Sequence, residues 1–295
     1  MTDYCIRATA RKGQVRCWAA NTTALCEEAR KRHDTYPVAT AALGRLLTAG
    51  VMMGLNLKGN DTLTLRVEGD GPIGSIIVTA DAAGKARGYV QNPQIHVPGK
   101  TSGKLNVGGA VGIKGFLYVV KDLGLKDTYT GTVSLVNGEI GEEITRYFTE
   151  SEQIPSAVAL GVLVETDNSV RASGGYIVQL MPGANEETIL QLEKNISQAP
   201  PVSQMVDEGL MPEEIAEKVL ENLDHQVLER VPVKFQCQCN RERLVRVLKA
   251  IGLVELESLL KEEGEAEITC SFCGEKYLFS AEDLREIINE VKNGK

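Results

Sequence analysis

Four cysteines near the C-terminal end carry the clearest chemical signal in this 295-residue chain. Cys237-Gln-Cys239 is followed, thirty residues on, by Cys270-Ser-Phe-Cys273-Gly274. Two close thiol pairs, separated by enough chain to fold back, are what a tetrahedral zinc site requires; each pair supplies two thiolates at Zn–S distances of about 2.3 Å. Gly274 suits the turn after the second pair. An ordinary thiol, with a pKa of ~8.5, is mostly protonated at neutral pH, whereas metal coordination removes the proton outright. Four thiolates around Zn²⁺ leave a net charge of −2 and no open ligand position, which disfavours Lewis-acid catalysis. The sulfurs stay electron-rich, and a peroxide that reaches them can oxidise them. Oxidation to disulfides destroys the ligand set and releases the metal. Zinc contributes roughly 10–16 kcal/mol to the folding of such small modules, while whole domains are stable by only about 5–15 kcal/mol. Metal loss is therefore expected to unfold the tail.

Other motifs carry less. Gly69-Asp-Gly71-Pro-Ile-Gly74 matches GxGxxG, but Ser75-Ile-Ile-Val-Thr follows it. A dinucleotide site needs a helix there, so the glycines read as a hairpin turn. Gly99-Lys100-Thr101 resembles the end of a phosphate loop, yet Gln94 stands where its first glycine belongs, and the run from Gly103 to Gly115 has no helical pattern. The three histidines, His33, His96 and His225, fall in separate elements and nominate no catalytic group. Cys5, Cys17 and Cys26 sit in apolar strands or a helix, where cysteine acts as a small hydrophobe.

The elements that position the cysteines divide by charge. Residues 1–180 carry 19 basic and 17 acidic side chains; 181–232 carry 3 and 11; 233–295 carry 10 and 12. The middle segment thus holds an excess equal to the whole net charge of −8, and it lacks Cys, Phe, Tyr and Trp. Residues 1–180 read as strands at 5–10, 14–18, 62–68, 75–80, 85–90, 133–136, 157–165 and 170–180. Asn137-Gly138 signals a two-residue hairpin. Helices are expected at 24–33, capped by Thr22 or Thr23, at 38–57 after Pro37, and at 142–152. Strands with segregated helices predict an α+β core domain on an antiparallel sheet. The middle segment reads as two or more short amphipathic helices. One is capped by Asn185 and stopped by Pro200-Pro201; another opens at Pro212. Neither buries its apolar stripe within itself, so both must lie on something else.

Two domains fit the length, and the acidic balance argues against a nucleic-acid partner. The apolar run Val38–Leu57 is long enough to span a membrane, but Arg45 and its glycines favour a packed helix. No signal peptide is visible, and an odd cysteine count does not suggest a secreted scaffold. These features predict a cytoplasmic protein with no membrane partner.

The cysteine motifs, in the settings Val233-Lys-Phe-Gln-Cys-Gln-Cys-Asn-Arg-Glu-Arg and Cys270-Ser-Phe-Cys-Gly-Glu-Lys-Tyr-Leu-Phe, resemble the redox-regulated 33-kDa heat-shock chaperone family of bacteria. Gly88-Tyr-Val-Gln-Asn-Pro93, Ser151-Glu-Gln-Ile-Pro155, and Gly174-Gly175 before Gln179-Leu-Met-Pro182 extend the resemblance over nearly the whole chain. Asn240 stands where Ser is expected; it is not a ligand. The resemblance implies an ATP-independent holdase with no catalytic residues. The reduced form would hold one Zn²⁺ per chain on Cys237, Cys239, Cys270 and Cys273. It implies disulfides Cys237–Cys239 and Cys270–Cys273 on oxidation, then unfolding of the linker, dimerisation, and capture of unfolding clients. Its domain plan is a core for client binding and dimerisation (1–180), a metastable helical linker (181–232) and a zinc redox switch (233–295). Rival readings are a thiol-disulfide oxidoreductase using Cys270 and Cys273, a zinc-ribbon nucleic-acid binder, and a constitutive structural zinc protein.

Overall fold

A computed structural model describes residues 2–100 and 104–293. Thr101 and Gly103, at the rejected phosphate-loop motif, lie outside them, as do the outermost residues of the 1–180 and 233–295 ranges. The chain forms two compact units, Met1–Gln236 and Cys237–Lys295.

The first unit begins with the hairpin β1 (Tyr4–Ala10) and β2 (Val15–Asn21), then α1 (Thr23–His33) and α2 (Pro37–Gly54). The meander β3 (Thr62–Glu68), β4 (Ser75–Asp81) and β5 (Lys85–Val90) follows, with the GxGxxG glycines in its first turn as expected. Then come α3 (Val107–Val111), β6 (Phe116–Asp122), β7 (Tyr129–Ser134), α4 (Ile140–Glu150), β8 (Ser156–Val164) and β9 (Val170–Leu180). The acidic segment supplies α5 (Glu186–Gln198), α6 (Val202–Asp207), α7 (Pro212–Val219) and β10 (Gln226–Pro232); β11 (Lys234–Phe235) closes the unit.

Two sheets result, in the orders β10-β1-β2-β9-β8 and β11-β5-β4-β3-β6-β7. All pairings in them are antiparallel except β11 on β5. The α+β class expected from the sequence is thus observed. Alternation along β3, β4 and β5 buries every second residue, the period-2 signature of a half-buried sheet. Helix α2 packs against strands of both sheets, and every residue in it except Pro37 and Arg45 is buried. That accounts for its membrane-like composition: it is the one described helix long and apolar enough to cross a bilayer, and it lies in the protein core. A Cβ at Gly50 would come within 2.8 Å of Val78, so the glycine permits the close approach of helix and sheet.

Several expectations fail for tertiary reasons. Asn137-Gly138 makes a strand-to-helix turn into α4, not a hairpin; the buried Glu143 carboxylate accepts the N–H groups of Val136, Asn137 and Gly138. Thr22 precedes α1 but makes no side-chain cap. The carboxylate of Asp3, at the start of the chain, accepts from Ala24 and Leu25 N–H instead. A short helix, α3, lies inside the run read as non-helical. Strand β6 was not anticipated, nor was β10 at the end of the acidic segment. Asn185 caps α5 as expected, accepting from Thr188 N–H at 2.9 Å.

The second unit holds α8 (Arg241–Ile251), α9 (Leu253–Glu262), the hairpin β12 (Ala266–Thr269) and β13 (Lys276–Phe279), and α10 (Ala281–Lys292). Its core is small: Leu244, Leu248, Leu256, Phe279, Leu284 and Ile287 form most of it.

Candidate metal centre and a covered apolar face

The second cysteine pair occupies the turn of the β12–β13 hairpin. Cys270 C=O accepts from Cys273 N–H at 3.3 Å and from Gly274 N–H at 2.8 Å, while Cys270 N–H donates to Glu275 C=O at 2.9 Å. Gly274 has φ 72°, a left-handed conformation that glycine adopts without cost. The first pair lies in the irregular segment leading into α8. Asn240 caps that helix, its Oδ1 accepting from Arg243 N–H at 2.8 Å. Ser and Asn are equally good caps, which is why Asn240 fits where Ser was expected.

These two elements bring all four sulfurs within 4.8 Å of one another. Cys237 Sγ lies 3.8 Å from Cys270 Sγ, and Cys239 Sγ lies 3.3 Å from Cys273 Sγ. Four sulfurs at tetrahedral corners about 2.3 Å from one cation would sit roughly 3.8 Å apart, so the donor set fits a thiolate-binding metal ion. Among the described residues no other group of Cys, His, Asp or Glu does so. Burial raises the Cys270 and Cys273 thiols above the ordinary range; Cys237 adds to the rise at both, while Cys273 works against it at Cys270. A cation at the centre would invert this preference, since coordination favours the thiolate.

Tyr277, which the motif reading did not single out, donates its hydroxyl to Cys239 Sγ at 3.3 Å. That bond raises the phenol above its usual range. Such outer contacts orient ligands. The sequence signal for it was the strand alternation just past Gly274, but only the hairpin's folding back shows which sulfur it meets. Arg241 ties the start of α8 to the hairpin and to α10: it stacks on Phe279 at 4.3 Å, donates to Leu278 C=O at 2.7 Å and pairs with Asp283 at 2.7 Å. The hydrogen bond from Arg241 holds Asp283 down at about 2.

The remaining cysteines stay apart from this centre. Cys5, Cys17 and Cys26 are at most 1% exposed in the first unit. Burial pushes Cys17 and Cys26 up to about 12 and Cys5 well above its ordinary value. His33 and His225 are half-buried, and His96 is exposed in an irregular segment.

A second feature of the first unit bears on function. One face of β1, β2 and β9, including Ile6, Ala8, Cys17 and Val178, is covered by the apolar stripes of α5, α6 and α7. Met205, Ile215, Val219, Leu220 and Leu223 in that cover are fully buried. Its acidic side chains pair with bases of the sheet's strands and turns: Arg11 with Glu187 at 3.0 Å and Arg171 with Asp207 at 2.5 Å. Exposed pairs of this kind contribute about 0–1 kcal/mol each, so the apolar stripes dominate the hold.

Comparison with known proteins places this geometry. The profile of the family described as "Hsp33 protein" matches residues 3–280. The "33 kDa chaperonin" of Desulforamulus reducens is 54% identical over 292 residues, covering 99% of each chain. That of Bacillus subtilis is 49% identical over 289 residues, covering 98% of this chain and 99% of its own. The crystal structure of the 33 kDa chaperonin from Thermotoga maritima superposes with a TM-score of 0.93 at 35% identity, covering 99% of this chain and all of the other. With a profile match over most of its length and near-full-length relatives at about half identity, this chain belongs to the Hsp33 family of chaperones.

Proposed function

We propose that the protein is a redox-regulated, ATP-independent holdase: a binding protein, not an enzyme, that captures unfolding polypeptides in the cytoplasm under oxidative stress. The observation that carries this reading is the convergence of four thiol sulfurs at tetrahedral spacing in a unit with a small core. In the reduced state Cys237, Cys239, Cys270 and Cys273 hold one Zn²⁺, which when bound cross-links the two ends of the unit and keeps the thiolates from titrating. Oxidation removes two electrons from a thiol pair, forming one S–S bond; a peroxide takes them and leaves as two waters. The pairs that close are Cys270–Cys273 and Cys237–Cys239. A 59-residue unit deprived of its metal is near the lower limit of independent stability, so it unfolds.

The acidic segment 181–232 is the relay. Holding it ordered costs backbone entropy of about 1–2 kcal/mol per residue, its eight excess negative charges repel, and it offers no aromatic anchors. Its release would bare the face of β1, β2 and β9 together with its own stripes, a contiguous apolar surface suited to unfolded clients and to a second copy of the chain. The three-part plan of core, linker and switch at 1–180, 181–232 and 233–295 belongs to this proposal.

The test is an aggregation assay on a thermally unfolding client with reduced and peroxide-treated protein side by side, measuring released zinc. Suppression only after treatment, alongside release of one zinc per chain, is expected. Zinc loss with no new suppression would leave a constitutive structural zinc protein. Turnover of a dithiol substrate would favour the oxidoreductase.

A further inference from the structure

Residues 231–236 of the first unit run as a strap from one sheet to the other. Strand β10 pairs with β1 as far as Pro232 opposite Tyr4. Val233 N–H then donates to Asp3 C=O at 3.1 Å, and the chain crosses to the edge of β5. There Lys234 N–H donates to Gly84 C=O at 3.1 Å and Gln236 N–H to Ala86 C=O at 2.9 Å. Val231, Val233 and Phe235, at alternate positions, turn into the core formed by α2 and the sheets. Phe235 lies under the Arg32 guanidinium at 5.3 Å. Gly84, at φ 74°, has no side chain to obstruct the strap; a Cβ there would sit 2.4 Å from Pro232 O.

This is how an extended peptide is recognised when it adds a strand to a sheet. Backbone hydrogen bonds supply sequence-independent affinity, and pockets for alternate side chains add preference. The ladder covers two residue pairs only, Lys234 with Lys85 and Phe235 with Ala86. An edge left open is a template for another chain.

We propose that the edge of β5, with the slots filled by Val231, Val233 and Phe235, is a docking site for extended client polypeptide, occupied in the resting protein by the chain's own residues 231–236. The occupant it takes is an unfolded stretch with β-branched or aromatic residues at alternate positions, the pattern of the strap itself. The inference rests on the holdase reading above and names one client subsite within it. Gln236 is bonded to Cys237, so a second unit that has unfolded no longer anchors the strap's far end, and client strands compete for the edge.

The experiment uses the full-length chain and a fluorescent peptide of sequence Arg-Val-Pro-Val-Lys-Phe-Gln, that of residues 230–236, followed by anisotropy. Protein treated with peroxide and mild heat is expected to bind it at least about tenfold more tightly than reduced, zinc-loaded protein. The variant V233D/F235D, reduced and with zinc retained, is expected to bind it as the treated protein does. A benzophenone at the peptide's Phe position should cross-link the treated wild type within residues 84–87 or at Arg32. Equal binding to reduced and treated wild type would overturn the proposal, as would cross-links confined to other regions. If peroxide neither releases zinc nor switches on suppression, the redox reading fails while V233D/F235D still tests the edge. If suppression switches on and no cross-link reaches 84–87, the edge proposal alone fails.

Discussion

Cys17 and Cys26 in the first unit and Cys270 and Cys273 in the second are the same chemical group in two settings. The first two lie under packed helices, at most 1% exposed, in a core shared by many elements. Around Cys26 the hydroxyls of Thr22, Thr48 and Ser173 form a buried network, with Ser173 Oγ 3.1 Å from its sulfur. Burial there keeps the thiol protonated and out of reach. The second two stand in a hairpin turn of a unit whose apolar core is a few side chains thick, where the sulfurs supply cohesion that burial does not. A cysteine thus acts as a filler where the core is large, and under the proposed function it acts as a fastening where the core is small, in a unit that would lose its structure with its metal.

The sharpest break of this contrast is metal removal. Chelation, or replacing all four of Cys237, Cys239, Cys270 and Cys273 by Ser, should unfold the second unit, since zinc supplies roughly 10–16 kcal/mol in such modules. Hydrogen exchange should lose protection across α8 to α10 and keep it in α2; protection retained in α8 to α10 would show that the small core suffices.

Next in size is Leu220→Asp, which places a carboxylate at a fully buried position at the C-terminal end of α7. A buried charge without a partner costs about 3 kcal/mol or more. Limited proteolysis between Met181 and Pro232 should speed up and aggregation suppression should need less oxidant, while zinc content stays unchanged. Wild-type cutting rates would show that the cover is not the metastable part.

The order of oxidation sharpens the comparison within the second unit. Disulfides need Cα atoms about 4.4–6.8 Å apart. Cys270 and Cys273 share a hydrogen-bonded turn, whereas residues i and i+2, such as Cys237 and Cys239, lie roughly 6.5–7 Å apart where the chain between them is extended. Closing the latter needs a bend that strains the bond. Cys270–Cys273 should form about tenfold faster at low temperature, equivalent to ~1.4 kcal/mol of barrier. Mass mapping of trapped thiols over a peroxide time course would refute this if Cys237–Cys239 closed first.

Cys26→Ala removes a filler. It should lower stability by about 1–2 kcal/mol through the lost contacts in its network, visible as a lower denaturant midpoint. The peroxide dose needed for activation should not change; a shifted dose would make Cys26 part of the switch. Smallest is Asn240→Ala, losing a helix cap worth about 1 kcal/mol, with Asn240→Ser restoring it to within a few tenths. Thermal unfolding of the second unit reports both, and equal losses would deny Asn240 its capping role.

What was legible in the sequence was local. The spacing of two cysteine pairs, Gly274 after the second, Asn185 and Pro212 at helix starts, and the period-2 runs of β3 to β5 depend on residues a few positions apart, and all of these appear in the structure. The charge division likewise marked out the acidic segment, whose stripes required a partner surface. Only the tertiary structure decided the identity of that surface, the face of β1, β2 and β9. It also decided that Asp3 rather than Thr22 caps α1, that Glu143 bends Asn137-Gly138 into a helix, and that Tyr277 meets Cys239. It also made residues 226–235, with no strand expected in them, strands in two different sheets. In each case the deciding contact is a hydrogen bond or packed face from outside the local pattern. Local propensities are worth tenths of a kcal/mol to about 1 kcal/mol per residue, whereas a buried carboxylate left without its N–H donors, or an apolar stripe left in water, costs several times that.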